Sequence, residues 1–311
     1  MGGRLRAPAR TAALVLLAAL GMAAPARADA PWSLATSDNN FGANRPSFTY
    51  TLNPGAQASD GVVVVNNGTT PLDLSVYAAD AFTTRGGKLD LTGQDAKPKG
   101  VGAWVRPDTD NVRVPPGQSV EVPVAVALPK EAAPGDYVGG IVAARDSERV
   151  SIPIHLRVGG ALKPSLAVEN VHVDYSGTLN PAGKGDATVT YAIHNTGNAI
   201  VHARQTVSVA GPFGAWSATA ARVPDSPSLL PGESWKVSVP VAGVAPAIRT
   251  TATVTLVPLL TDAAGSTAAL EAVETSGHAW TVPWALLVAI LVVCGFVFAG
   301  VALRPRRRAA V

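Results

Sequence analysis

From Pro31 to about Glu274 the chain alternates apolar and polar residues in short runs, each broken by Gly, Pro, Asn or Asp. Val120-Glu121-Val122-Pro123-Val124-Ala125-Val126 is one such run, and Val168 to Val173 and Thr251 to Leu256 are others. A period of two sends successive side chains to opposite faces of a strand, so each run has one face to bury and one to wet. No stretch in this region carries the 3.6-residue period of an amphipathic helix. Short strands at regular spacing, with turn residues between them, predict β-sandwiches.

A weak internal repeat divides the region in two. Val62-Val63-Val64-Val65-Asn66-Asn67-Gly68 reads as a strand entering a tight turn, and Pro71 to Val76 follows it. Val189-Thr190-Tyr191-Ala192-Ile193-His194-Asn195-Thr196-Gly197 does the same, followed by Val201 to Val209. Asn and Gly suit such turns because they accept positive φ at low cost. Downstream, Pro115-Pro116-Gly117-Gln118-Ser119-Val120-Glu121-Val122 matches Leu230-Pro231-Gly232-Glu233-Ser234-Trp235-Lys236-Val237. This layout recurs in bacterial immunoglobulin-like domains. A boundary near Gly159-Gly160 leaves each copy a size that can build a core unaided.

The ends predict the topology. A basic stretch to Arg10, an apolar run from Ala12 to Ala24, and Ala26-Arg27-Ala28 form a secretory signal over 1–28 with cleavage before Asp29. Val282 to Leu303 is apolar and uncharged, about 33 Å as a helix, enough to cross a bilayer. Trp280 and Trp284 flank its outer edge, and Arg304-Pro305-Arg306-Arg307-Arg308 follows as the positive cytoplasmic flank. No LPxTG-like pentapeptide precedes this tail, so the expectation is permanent retention rather than transfer to the wall. The expected architecture is therefore all-β. Two tandem immunoglobulin-like β-sandwiches, 29–159 and 160–276, precede one transmembrane α-helix at 282–303 and a basic tail at 304–311. The protein is expected in the plasma membrane, with both domains outside.

Charge and cysteine narrow the function classes. Of 25 Lys and Arg, eight arginines lie in the two end segments, leaving 17 against 22 Asp and Glu in the region between. A net-acidic module is a poor partner for phosphate backbones, so nucleic acid is not an expected ligand. The one cysteine, Cys294, falls in the expected span. The exported part can then have neither a disulfide nor a thiol nucleophile.

Chemical motifs are sparse. His155, His172, His194, His202 and His278 form no H-x-H or H-E-x-x-H spacing, and no G-x-S-x-G element or phosphate-binding glycine loop is present. Carboxylates such as Asp80, Asp90, Glu121 and Asp136 are scattered, whereas glycoside hydrolysis needs two held across a sugar ring. Asp38-Asn39-Asn40 and Asp108-Thr109-Asp110-Asn111 offer clustered oxygens, but neither completes a calcium loop. The reading is non-enzymatic, with no cofactor or metal. The candidate ligand-binding residues are Phe82, Arg85, Trp104 and Tyr137, because rings beside polar groups stack on sugars and hydrogen-bond their hydroxyls.

Several stretches resemble the N-terminal domain of WxL-interacting proteins, surface proteins of Gram-positive bacteria. They are Phe41 to Arg45, Tyr50-Thr51-Leu52-Asn53-Pro54-Gly55, Val62 to Gly68, the Ala79–Gly87 loop and Val114 to Val126. The most specific is Pro134-Gly135-Asp136-Tyr137-Val138-Gly139-Gly140-Ile141. The order of a second domain, one span and a basic tail is also similar. The resemblance implies a non-catalytic protein whose first domain binds peptidoglycan and whose second docks another protein. Two other readings stay open: a structural scaffold or adhesin subunit binding only proteins, and a cell-wall hydrolase. Trp32-Ser33-Leu34 and Trp284-Ala285-Leu286 spell W-x-L by coincidence, one opening the first strand run and the other lying in the expected span.

Overall fold

The computed structural model describes residues 31–178, 180, 183–261, 267–280 and 284–302. The expected signal, 1–28, and tail, 304–311, lie outside the described residues. Between them are two β-sandwiches in tandem. In the first, one sheet has the order β1 (Trp32–Thr36), β3 (Gln57–Asn66), β8 (Ser119–Ala127), β6 (Val105–Pro107). The other runs β2 (Phe48–Leu52), β10 (Glu148–Val158), β9 (Gly135–Arg145), β4 (Leu72–Thr83), β5 (Leu89–Leu91), with β7 (Asn111–Val114) also on β4. All pairs are antiparallel except β2 and β10, which are parallel. This is the layout of immunoglobulin-like sandwiches, whose strand order A-B-E-D faces C-F-G.

The second sandwich repeats the plan with fewer strands. β11 (Leu166–Ser176), β12 (Gly185–Asn195) and β15 (Ser234–Val244) form one sheet. The other has β14 (Ala218–Thr219), β13 (His202–Ala210) and β16 (Arg249–Thr261), with β17 (Thr267–Ala269) and β18 (Val273–Trp280) pairing β16 as an interrupted last strand.

The two-residue period does what the sequence predicts. Along β8, Val122, Val124 and Val126 are buried while Glu121, Pro123 and Ala125 face water. The first core gathers Phe48, Val62, Val76, Ile141 and Leu156; the second gathers Tyr191, Ile193, Leu229 and Leu256. β9 departs from the pattern, being buried on both faces over most of its length. A four-residue helix, α1 (Val101–Trp104), seats Val101 against Gly139, where a Cβ would lie 2.4 Å from the Ala79 carbonyl oxygen. Leu91 occupies the corresponding space at Gly140.

The internal repeat is explained by two buried asparagines. Asn66 ends β3; its Oδ1 accepts the Gly68 N–H at 2.9 Å, and its Nδ2 donates to Thr70 O at 2.8 Å and Val114 O at 3.0 Å. Asn195 ends β12; its Oδ1 accepts the Gly197 N–H at 3.0 Å, and its Nδ2 donates to Ala199 O at 2.8 Å and Leu229 O at 2.9 Å. Their own N–H groups donate to Gln118 O and Glu233 O, both at 2.9 Å. Each amide thus ties a corner to the segment leading into a distant strand. The expected reason for the glycines was different: neither Gly68 nor Gly197 has positive φ, because the side chain of the asparagine makes the corner. Positive φ falls on the downstream pair, Gly117 at 66° and Gly232 at 78°, third residues of turns closed by Gln118 N–H to Pro115 O and Glu233 N–H to Leu230 O.

The C-terminal helix α2 (Trp284–Ala302) has large side chains such as Leu291, Phe296 and Phe298 exposed. Among the described residues no helix is long and apolar enough to cross a membrane.

Replacing Asn195 by alanine strands the buried Ala199 and Leu229 carbonyls, and replacing Asn66 strands the buried Val114 carbonyl, each costing about 1–3 kcal/mol. Asn195→Ala should lower the urea midpoint of the second sandwich and Asn66→Ala that of the first. Tryptophan fluorescence reads the two separately in variants that keep only Trp235 or only Trp104, the other five of the six tryptophans being replaced by phenylalanine.

Candidate functional site at the domain joint

β9 opens on Gly135-Asp136-Tyr137, and this segment, with Pro134 just before it, meets the second sandwich. The Asp136 carboxylate is buried. It accepts from Arg157 Nε at 2.6 Å and Nη2 at 3.1 Å, on neighbouring β10, and from the Ile200 N–H of the second domain at 3.0 Å. The Asp136 N–H donates to Asn198 O at 2.8 Å. Asn198 completes the joint. Its Nδ2 donates to Pro134 O at 2.9 Å and Ala161 O at 3.0 Å, and its Oδ1 accepts the Lys163 N–H at 2.6 Å. First domain, linker and second domain are thereby held through two side chains.

A second contact lies beyond it. The Thr83 N–H, at the end of β4, donates to Glu233 Oε2 at 2.7 Å, and Trp235 Nε1 donates to the Arg85 carbonyl at 3.3 Å. Gly87 lies against Pro227. The β4–β5 hairpin of the first domain therefore leans on the start of β15.

Between these contacts is a cleft of about 650 Å³, lined by Phe82, Lys97, Lys99 and Tyr137 from the first domain and Asn198, Pro231 and Glu233 from the second. A smaller cleft of about 440 Å³ lies on the other side of Asp136 and Tyr137, with Thr49, His155, Arg157 and His202 in its wall. The loop carrying Lys97 and Lys99 is anchored by Asp80, whose carboxylate accepts the Lys99 N–H at 2.7 Å and the Gly102 N–H at 2.8 Å.

The four residues singled out from the sequence have different places. Phe82 and Tyr137 line the larger cleft. Arg85 is exposed, and its main chain is engaged by Trp235. Trp104 does not line the cleft: it is partly buried against the first core and meets the Tyr137 ring edge-on, centroids 4.6 Å apart. Burial raises the Tyr137 hydroxyl above its usual pKa, and that hydroxyl donates to Ala133 O at 3.0 Å. Sequence reasoning passed over Asn198, Glu233 and Trp235, and treated Asp136 as one scattered carboxylate. The signal was there for Asp136, which sits inside the most specific stretch of the first domain.

Below the smaller cleft lies a buried ion pair. Tyr50, in its wall, donates to Asp60 Oδ2 at 2.8 Å. Arg45 approaches the same carboxylate with Nη1 at 2.7 Å and Nη2 at 2.8 Å, and Asn39 Nδ2 donates to it at 2.6 Å. Phe41 and Phe48 rings flank the guanidinium at 5.9 and 5.3 Å. The Asp60 side chain has 0% of its surface exposed. Burial alone would raise its pKa; hydrogen bonds from Arg45, the Gly61 N–H, Tyr50 and Asn39 outweigh that and hold it at about 2. Asp38 and Asn39 are spent on this loop, Asp38 Oδ1 accepting the Asn44 N–H at 3.0 Å. Among the described residues no group of three or more His, Cys, Asp or Glu is placed to hold a metal ion.

No protein-family model matches the chain, and no curated protein matches it. Solved structures similar to it include the class 5 fimbriae chaperone CfaA, at 10% identity and TM-score 0.36, covering 78% of this chain and 98% of that one. The E. coli chaperone DraB is similar at 12% identity and TM-score 0.32, covering 78% and 96%. A family 123 glycoside hydrolase from Clostridium perfringens is similar at 11% identity and TM-score 0.29; the match covers 42% of this chain and only 27% of the hydrolase. Likenesses at such scores carry no argument about function. The class rests on strand order and register: a tandem immunoglobulin-like protein.

Two outcomes follow from the carboxylates. The folded Asp60 pKa of about 2 lies below the ordinary 3.8, so its charged form stabilises the fold above about pH 4. That contribution, about 2 kcal/mol, is lost as pH falls through about 2. Asp60→Asn should flatten this part of the acid-unfolding curve, read as urea midpoint against pH. Asp136→Ala removes the acceptor shared by Arg157 and Ile200, a loss of about 2 kcal/mol in coupling. Calorimetry should then show two separated transitions, where the unaltered chain melts closer to one.

Proposed function

We propose that this is a membrane-anchored, non-catalytic cell-surface protein that binds peptidoglycan through its first domain and docks a protein partner through its second. The observation that carries the reading is the position of the cleft. It opens at the end of the second sandwich opposite the one from which the apolar helix α2 departs, on the side facing the first domain. In this reading the apolar run 282–303 spans the membrane, its described part being exposed as a lipid-facing helix would be. The exported domains are then held outside, first domain outermost.

The lining suits a wall polymer. Phe82 and Tyr137 offer ring faces to sugars, and Lys97 and Lys99 offer cations to the carboxylates of a stem peptide. Trp104 acts from behind, fixing the Tyr137 ring. The edge strand β15 of the second sandwich leaves backbone donors and acceptors for strand addition by a protein.

The test is sedimentation of the full chain, in nanodiscs, with protein-free peptidoglycan. Saturable pelleting is expected, weakened about tenfold by Phe82→Ala, a loss of roughly 1.4 kcal/mol, and weakened further with Lys97→Ala and Lys99→Ala added. A chain that stays in the supernatant at all salt concentrations overturns wall binding and leaves a scaffold that binds only proteins. Release of soluble fragments from labelled wall overturns the non-catalytic reading.

A further inference from the structure

Among the described residues, the large apolar side chains exposed on the second sandwich are four: Phe213, Trp216, Ile248 and Trp280, at 109%, 66%, 66% and 75%. They are distant in sequence, yet the strand register gathers them at one end. β13 ends at Ala210, which pairs with Thr251. Arg249, the first residue of β16, pairs with Trp280, the last of β18. Val244, the last of β15, pairs with Gly185, the first of β12. The 211–217 and 245–248 loops therefore cap the same end, and Gly211 lies against Trp216 and Ala247. The joint with the first domain, at Asn198 and Glu233, is at the opposite end.

The fold does not ask for these rings. Phe213 and Trp216 have φ of 57° and 52°, a region in which bulky residues are outliers and Gly or Asn sits more easily. Neither is in the core of the second sandwich. A strained loop that holds two large rings in the open is arranged for something outside the chain.

The chain itself says what that is. Trp280 and the first residue of α2, Trp284, are separated by three residues, which span at most about 14 Å from one Cα to the other. The end bearing the four side chains is thus held beside the start of the apolar helix. Trp prefers the headgroup level, Phe and Ile the acyl boundary beneath it, and Arg249, exposed at the same end, suits lipid phosphate.

We propose that this end of the second domain is seated on the bilayer, with Phe213 and Ile248 inserted at the headgroup–acyl boundary and Trp216 and Trp280 at headgroup level. The proposal rests on the membrane span assigned to α2. It adds a second point of attachment, which fixes the tilt of the second sandwich and so the height at which the first domain, joined to it through Asp136 and Asn198, is presented.

The test is spin-label accessibility in the full chain, reconstituted in nanodiscs of phosphatidylcholine with a minority of phosphatidylglycerol. Cys294, the one native cysteine, reports the span. In a Cys294→Ser background, Ser217→Cys reports the loop without removing either ring, and Gln118→Cys reports the far end of the first domain. The expected result is a deep Cys294 label and a ratio of oxygen to nickel-chelate collisions several-fold higher at 217 than at 118. Adding Phe213→Ser and Ile248→Ser should return the 217 label to the value at 118. A deep label at 294 with an aqueous label at 217 overturns the seating and leaves the span intact. An aqueous label at 294 overturns the span and the seating with it.

Discussion

Asp136 is a carboxylate taken out of water at the meeting of two domains, and the arrangement of the two sandwiches follows from how it is satisfied. Burying a charge is costly unless it is paired and hydrogen-bonded. Here the guanidinium comes from β10 of the same domain, and an amide N–H comes from the next domain. Neither sandwich alone supplies the full set. The joint is therefore not a loose linker but a site whose donors depend on both bodies, reinforced by Asn198 and by the hairpin contact at Glu233. The cleft exists because these two contacts hold the domains apart as well as together.

With its one cysteine at 294, neither sandwich has a covalent brace. The buried corners carry that burden. Asn66 and Asn195 satisfy backbone groups that would otherwise be stranded where a strand leaves its sheet, and each does so across a long stretch of chain. An amide is well suited because it donates and accepts at once. The same solution in both sandwiches accounts for the weak repeat, which is a repeat of corners more than of cores.

The molecule has a direction. One end of the second sandwich is occupied by the joint, and the other gathers exposed rings beside the start of an apolar helix. The cleft-lining residues and these exposed rings thus lie at opposite ends of the second sandwich.

Much of the fold was legible because its signals are local. A two-residue period needs only neighbouring residues, and Val122, Val124 and Val126 bury as their spacing predicts. Asn-Gly and Pro-Gly pairs marked real turns, although the positive φ fell on Gly117 and Gly232 rather than on Gly68 and Gly197. The site was legible only in pieces. Phe82 and Tyr137 reached the cleft, but Trp104 was drawn inward to pack on Tyr137, since a ring beside polar residues looks the same in sequence whether it faces water or core.

The sequence by itself determined the strand periodicity, the repeated corners, the charge balance and the apolar run near the C-terminus, each a property of residues close together along the chain. Tertiary structure alone decided that Asp136 pairs with Arg157 and Ile200, that Glu233 caps Thr83, and that Phe213, Ile248 and Trp280 share one end. Those are contacts between residues far apart in sequence. They depend on which strands become neighbours and in what register, and no local pattern encodes either.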